Sequence, residues 1–287
     1  MGQLVAPRSS TLCAGCPHLG TYWALKQAVY RQPGTPIING DIGCYEQGGY
    51  GLFSRQVEPS DAPSQRLKVT SPYEMLDTIY VMGSGVGMAQ GQSHVGHEGP
   101  VVAVAGDSTF FHATLPAVVN AVTNHARVTF VVMDNSWTCM TGHQVSPTTG
   151  TDTVGQPTTT LDIAGVCHAL GVPFVRVTDA YDVKGTTAAF KEALTQPGVA
   201  VVVAKRECAL QVQRRERRRG EAKSTVNENC NGCRVCLQIG CPAITWDAER
   251  KRAGVDRLLC VDCTICHQIC PRSAMGIPPA GDTSLCL

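Results

Sequence analysis

Two stretches near the carboxyl end carry cysteines at spacings suited to metal chemistry. In "CNGCRVCLQIGCP" (230–242), Cys230, Cys233 and Cys236 are spaced C-x2-C-x2-C, and Cys241-Pro follows. "CVDCTICHQICP" (260–271) repeats the pattern with Cys260, Cys263, Cys266 and then Cys270-Pro. A tight C-x2-C-x2-C loop aims three thiolates at three corners of one cubane, and the Cys before Pro reaches across to the other. The spacing therefore predicts one [4Fe–4S] on Cys230, Cys233, Cys236 and Cys270. A second falls on Cys241, Cys260, Cys263 and Cys266. Zinc is the competing reading, but it needs four ligands in one tetrahedron, which the crossed spacing suits poorly. The text between, "AITWDAERKRAGVDRLL", reads as a hairpin turning near Arg252–Gly254.

Other chemistry-bearing residues are scattered. Asp107 sits in "GDSTFFH" and Asn135 in "DNSWTCMTGHQ", each directly after an apolar run. Two oxygen ligands on adjacent loops beside a phosphate-binding turn suit Mg²⁺. The plain alternative is that Asp107 caps a helix and Asn135 makes a turn. Cys13 and Cys16 form a C-x2-C ahead of the first helical stretch, Cys44 ends a strand loop, and Cys208 follows the last strand. His18 and His112 point to the same region by position, although a lone histidine is more often packed or capping.

The elements that must position these residues alternate. Short apolar runs at 36–41, 78–83, 101–107, 128–134, 173–177 and 199–205 suit strands buried on both faces. Helical patterns lie between them at 19–31, 86–97, 113–125, 163–170 and 183–195. The expectation is an α/β fold with a doubly wound parallel sheet, whose ligands bind beyond the carboxyl ends of the strands. "GDIGC" (40–44) and "MGSGVGMAQG" (82–91) would be Gly-rich tips there, offering N–H groups to phosphate. The parallel sheet would bring Cys13, Cys16, Cys44 and Cys208 to the same edge. The expected domains are 1–208, a basic linker at 209–225, and an α+β two-[4Fe–4S] module at 226–287.

Bulk properties bound the rest. The chain has 287 residues, 43% of them apolar, with 29 Gly, 15 Cys and a net charge of +1. No apolar run is long enough to cross a bilayer, and the amino end lacks the pattern of a signal peptide. "MGQLVA" does not fit myristoylation because Ala6 stands where Ser or Thr belongs. A cytoplasmic protein is expected, one with no membrane partner. Fifteen cysteines in a reducing compartment argue for ligation over disulfides. Residues 205–225 are net +5, leaving −4 elsewhere. No aromatic interleaves the arginines of "QRRERRRG", so a solvated linker on an acidic partner is expected and nucleic acid is not.

Several of these texts together carry a family resemblance. "GDS", then 26 residues, then Asn135 is similar to the thiamine-diphosphate motif, with Ser108 in place of its third glycine. With "CAGCPH", "GDIGC", "GDSTFFHATLPAVVNAV", "MDNSWTCMTGHQ" and "RECAL", the chain resembles the thiamine-diphosphate subunit of 2-oxoacid:ferredoxin oxidoreductases over residues 11 to about 276. The similarity is strongest to the large subunit of the indolepyruvate type. The tail resembles bacterial two-cluster ferredoxins.

The resemblance implies Mg²⁺ on Asp107, Asn135 and the carbonyl of Trp137. It places thiamine diphosphate against Asp41, Ile42, Gly43, Cys44, Gly106, Ser108, Thr109 and Gly142, with Met140 and Thr141 near the substrate. His18, His112, Met140 and Thr141 are the catalytic candidates. A proximal [4Fe–4S] is implied on Cys13, Cys16, Cys44 and Cys208. The implied reaction is oxidative decarboxylation of a 2-oxoacid with coenzyme A, giving acyl-CoA and CO₂, with electrons passing through three clusters to ferredoxin. In such relatives a Glu activates the coenzyme from a pyrimidine-binding domain. Since this chain starts at "MGQLVAPRSSTLCAGC", that Glu is expected from another subunit of a hetero-oligomer, with the lone chain inactive. An aryl 2-oxoacid such as an arylpyruvate or phenylglyoxylate is favoured. A small, pyruvate-type substrate and a non-catalytic electron-transfer subunit are the alternatives. Segment 45–74 looks longer than in the relatives, and Cys139, Cys167 and Cys286 have no assigned role.

Overall fold

The computed structural model describes residues 11–49, 73–217, 220 and 222–278. Six parallel strands form its main sheet: β1 (Ile37–Gly40), β2 (Thr78–Ile79), β3 (Val101–Gly106), β4 (Thr129–Asp134), β5 (Phe174–Asp179) and β6 (Ala200–Lys205). Their order is β2-β1-β3-β4-β6-β5. The register pairs Ile37 with Val101, Val102 with Thr129, and Thr129 with Ala200. Every residue of β3 and β4 is buried, so their apolar runs are continuous and not alternating.

Each face of the sheet is covered by helices. Val102, Val104, Val131 and Val202 point to one side, under α1 (Pro17–Val29) and α5 (Val183–Leu194). Ala103, Ala105, Phe130 and Val132 point to the other, under α2 (Ser84–His94), α3 (Asp107–Thr123) and α4 (Ile163–Ala169). Period-two alternation along a strand makes the split. Cys167 lies in this second core, fully buried.

Helix α3 starts at Asp107, six residues before the expected stretch, and contains a π turn at Phe110–Thr114. Pro116 has no N–H to give the preceding turn, and Thr114 Oγ1 donates to the Thr109 carbonyl at 3.1 Å. The wider turn lets the helix begin directly at the strand end, which carries Asp107 to the sheet's carboxyl edge. The expected strand at 78–83 pairs only over Thr78–Ile79, because the chain turns at Gly83 (φ 85°) into α2.

The basic stretch expected as a linker is helical at its start. Cys208 stands at the N-cap of α6 (Ala209–Glu216), which ends at Arg217 in a left-handed conformation. The carboxyl module then pairs Thr225–Val226 with Met275–Gly276 and Ile244–Asp247 with Arg252–Val255, both antiparallel. The hairpin turn therefore falls at 248–251, where Lys251 has φ 49°, and Arg252 and Gly254 belong to the returning strand. A short helix α7 (Ile265–Ile269) and a 3₁₀ turn (Val235–Ile239) complete it.

The module is packed on the sheet domain. Ile239, Ile265 and Ile269 join the core under α1. Gln268 bridges by donating to the Tyr181 carbonyl (2.7 Å) and accepting from Val183 N–H (3.0 Å). Most of segment 45–74, and Cys286, lie outside the described residues. No described helix is long and apolar enough to cross a membrane.

Candidate functional site

A pocket opens where β1, β3 and β4 end, as the parallel sheet requires. Its walls include Ile42, Gly43, Cys44, Gly106, Asp107, Ser108, Thr109, Asn135 and Trp137, with His18, His112, Met140 and Thr141. Two expected members are not there. Asp41 is 1% exposed and turned inward, accepting hydrogen bonds from the Tyr45 hydroxyl and from Gly83 N–H (2.8 Å). It therefore clamps the Gly-rich turn and occupies one of that turn's donors. Gly142 lies past the pocket wall, in a turn where its N–H donates to the Cys139 carbonyl at 3.1 Å.

Asp107 is 2% exposed and has neutral partners only: Thr148 Oγ1 donates to it at 2.6 Å and Ser146 Oγ at 2.9 Å. Burial, with the nearby Asp134 carboxylate adding to it, pushes Asp107 up to about 7. Lys205 pairs with Asp134, at 3.7 Å, so Asp107 itself meets only the neutral hydroxyls.

Asn135 is oriented from both sides. Its Oδ1 accepts the Trp137 N–H at 3.1 Å, and its Nδ2 faces His18 Nε2 at 3.3 Å. The amide donates there, so Nε2 is the acceptor and the imidazole proton sits on Nδ1. Burial holds His18 down to about 4, a neutral ring at physiological pH. Asn135 does make the turn that its plain reading called for, but Oδ1 keeps a second lone pair for another ligand. Ser108 links His112 Nε2 (3.2 Å) and Thr138 Oγ1 (2.8 Å) across the rim.

The dispersed thiols converge beside this pocket. Cys16 caps α1, Cys208 caps α6, and Cys44 opens a 3₁₀ turn while also lining the pocket. Cys13, Cys16, Cys44 and Cys208 are close enough to interact electrostatically, each thiolate disfavouring the others. Cys139, which had no assigned role, lies beside them, its Sγ within 4.8 Å of Cys208 Sγ, and its thiol lowers the pKa of Cys208 and of Cys44.

In the carboxyl module the cysteines separate into the two crossed sets. Cys241, Cys260, Cys263 and Cys266 line one small, nearly apolar cavity, and Cys230, Cys233, Cys236 and Cys270 line another. The first cavity is also lined by Gly15, from the Cys13–Cys16 loop. In the second set Cys233 is exposed. None of the described cysteines is paired in a disulfide.

Sequence reasoning missed Tyr45, Asp134, Ser146 and Thr148. The last two lie in "SPTT", a hydroxyl-rich run whose lack of apolar periodicity was the available signal.

Comparison with known proteins agrees with this geometry. Residues 61–204 match the family model of the thiamine pyrophosphate enzyme, C-terminal TPP binding domain. The indolepyruvate oxidoreductase subunit IorA of Pyrococcus horikoshii is 40% identical over 95% of this chain and 41% of its own. That of Archaeoglobus fulgidus is 36% identical over 94% and 40%. The chain thus spans about two fifths of the length of these curated relatives. Among solved structures, a 2-oxoglutarate:ferredoxin oxidoreductase from Magnetococcus marinus shares the fold, with a TM-score of 0.55 and 21% identity over 72% of this chain and 67% of that one. The match covers half of the chain, including the strand ends that carry the buried Asp107 and Asn135, and the chain belongs to the thiamine pyrophosphate enzyme family.

Proposed function

We propose that this chain is the thiamine-diphosphate and iron–sulfur subunit of a 2-oxoacid:ferredoxin oxidoreductase. The observation that carries the reading is Cys44, which lines the same pocket as Asp107 and Asn135 and belongs to the gathered thiols. A coenzyme and a redox centre placed there would share a wall.

The residues fit the groups this requires. Asp107, buried and held only by neutral hydroxyls, is a carboxylate that a divalent cation would satisfy. Asp107, Asn135 Oδ1 and the Trp137 carbonyl would hold Mg²⁺, with Gly43, Gly106 and Ser108 against the diphosphate. Cys13, Cys16, Cys44 and Cys208 would hold a proximal [4Fe–4S], and the two cysteine-lined cavities would hold two more. Bound thiamine diphosphate supplies an electron sink for loss of CO₂ from a 2-oxoacid, and the clusters supply one-electron carriers.

The protein's own part is positioning. His18, kept neutral by burial, orients Asn135 without adding positive charge beside the cation site. Met140 and Thr141 cover the pocket mouth. Gly15 joins the proximal loop to the inner cavity of the module, whose wall it forms with Cys241, and exposed Cys233 puts the other cavity nearer an external acceptor such as ferredoxin.

The relatives' names, indolepyruvate oxidoreductase subunit, support an aryl 2-oxoacid and a hetero-oligomer; coenzyme A as acyl acceptor and an activating glutamate from another subunit would complete the reaction. Anaerobic purification of the complex carrying this chain tests the reading. Bound thiamine diphosphate, roughly twelve irons per chain, and viologen reduction that needs an arylpyruvate and coenzyme A are expected. A complex without the coenzyme, or one reducing viologen with no 2-oxoacid present, would overturn it.

A further inference from the structure

The loop 139–143 touches both the pocket and the gathered thiols. It is the tip of a ribbon pairing Trp137–Thr138 with Gln144–Val145. Cys139, Met140 and Thr141 line the pocket. On the other side, Cys139 Sγ, a His143 ring nitrogen and Cys208 Sγ lie within 4.8 Å of one another. Cys44, another of the gathered thiols, lines the same pocket as Cys139.

Behind His143 stands the basic helix. Arg214 Nη1 lies 3.2 Å from His143 Nδ1. A guanidinium only donates, so Nδ1 accepts and the ring proton is on Nε2. The loop is held in this shape by backbone that few residues adopt, with His143 at φ 65° and Gly142 at φ 123°.

We infer that Cys139 and His143, with Arg214 behind them, are positioning residues that donate hydrogen bonds to the Cys208 sulfur and thereby raise the reduction potential of the proximal cluster. The inference rests on the proposed ligation of that cluster by Cys13, Cys16, Cys44 and Cys208. Donors to a ligating sulfur stabilise the reduced, more negative cluster, which moves the potential upward. Because the same loop walls the pocket, whatever the pocket binds acts on these donors through one short piece of chain. The arginines of α6 gain a role here that a solvated linker would not give them.

The experiment is an EPR-monitored redox titration of the anaerobically purified complex, with iron and zinc counted, for wild type, Cys139→Ala, Cys139→Ser, His143→Ala and His143→Gln. The expected result is a proximal signal at more negative potential in both alanine variants. Serine and glutamine, which keep a donor, should return it toward the wild-type value, with iron unchanged at roughly twelve per chain throughout. Equal shifts in Cys139→Ala and Cys139→Ser, or none in either alanine variant, overturn the inference. So does loss of roughly four irons in the Cys139 variants, which would make Cys139 a ligand, or about one zinc per wild-type chain. If wild type itself holds only about eight irons, the failure lies in the proximal cluster and not in its donors.

Discussion

The sheet domain and the carboxyl module both gather four or more thiols around small spaces, yet they are held together differently. The sheet buries β3 and β4 completely and carries an apolar layer on each face. The module has strands of two to four residues, and its own small cluster of fully buried apolar groups is Cys236, Ala253 and Met275. Hydrophobic burial at about 25 cal/mol per Å² can fix the first and not the second. The lesson is that one site stands on a core of its own, whereas the other borrows burial from its neighbour through Ile239, Ile265 and Ile269 and, with the proposed clusters bound, would be completed by its ligands.

The largest test of that contrast is iron removal. Anaerobic chelation should leave hydrogen-exchange protection in β3, β4 and β6 while residues 225–278 lose theirs, since metal-binding energy is folding energy in small metal domains. Retained protection in the module would remove the distinction.

Asp107→Asn sharpens the other side. The metal-free fold holds Asp107 at about 7 against an ordinary 3.8, so the folded chain binds this proton more tightly than the unfolded one. Its contribution favours folding at low pH, weakens as pH rises from about 4 to 7, and stays unfavourable above. At pH 8 the Asn variant should therefore be more stable without metal, by up to about 4 kcal/mol, while losing Mg²⁺ and thiamine diphosphate. Urea denaturation at pH 5 and pH 8 with coenzyme titration measures both. A variant less stable at pH 8 would contradict the assigned cause.

Gly15→Ala probes the joint between the two regions. A Cβ there would meet Val261 Cγ2 at 2.1 Å, on a backbone with φ 69°. A loss of about 1–3 kcal/mol is expected, together with slower reduction of the module clusters in stopped flow. Arg234→Ala should have the smallest effect. Its guanidinium lies 4.4 Å from the Trp246 ring centroid, a contact worth about 0.5–1 kcal/mol at an exposed site. The change should appear in module unfolding only.

Legibility in the sequence follows the distance over which each feature is encoded. The crossed cysteine sets of the module were readable because three thiols of each lie within seven residues. The buried strands were readable from their valine runs, and Asp107 with Asn135 from their places at strand ends. The start of α3 was not, because Asp107 looks like a loop residue until the sheet ends beneath it. Nor was the inward turn of Asp41, which depends on Tyr45 folding back along its own loop and on Gly83 arriving from another segment.

What the sequence alone determined is the chemistry available: which thiols, carboxylates and amides exist, and which parallel strands would carry them to an edge. Only the tertiary structure decided which side chains meet there. Cys139 beside Cys208 and Cys44, Ser146 and Thr148 on Asp107, and Arg214 behind His143 are pairs separated by about 40 to 95 residues. Periodicity and spacing report how a segment meets its own neighbours. Contacts between distant segments are set by the packing of whole layers, which no local pattern contains.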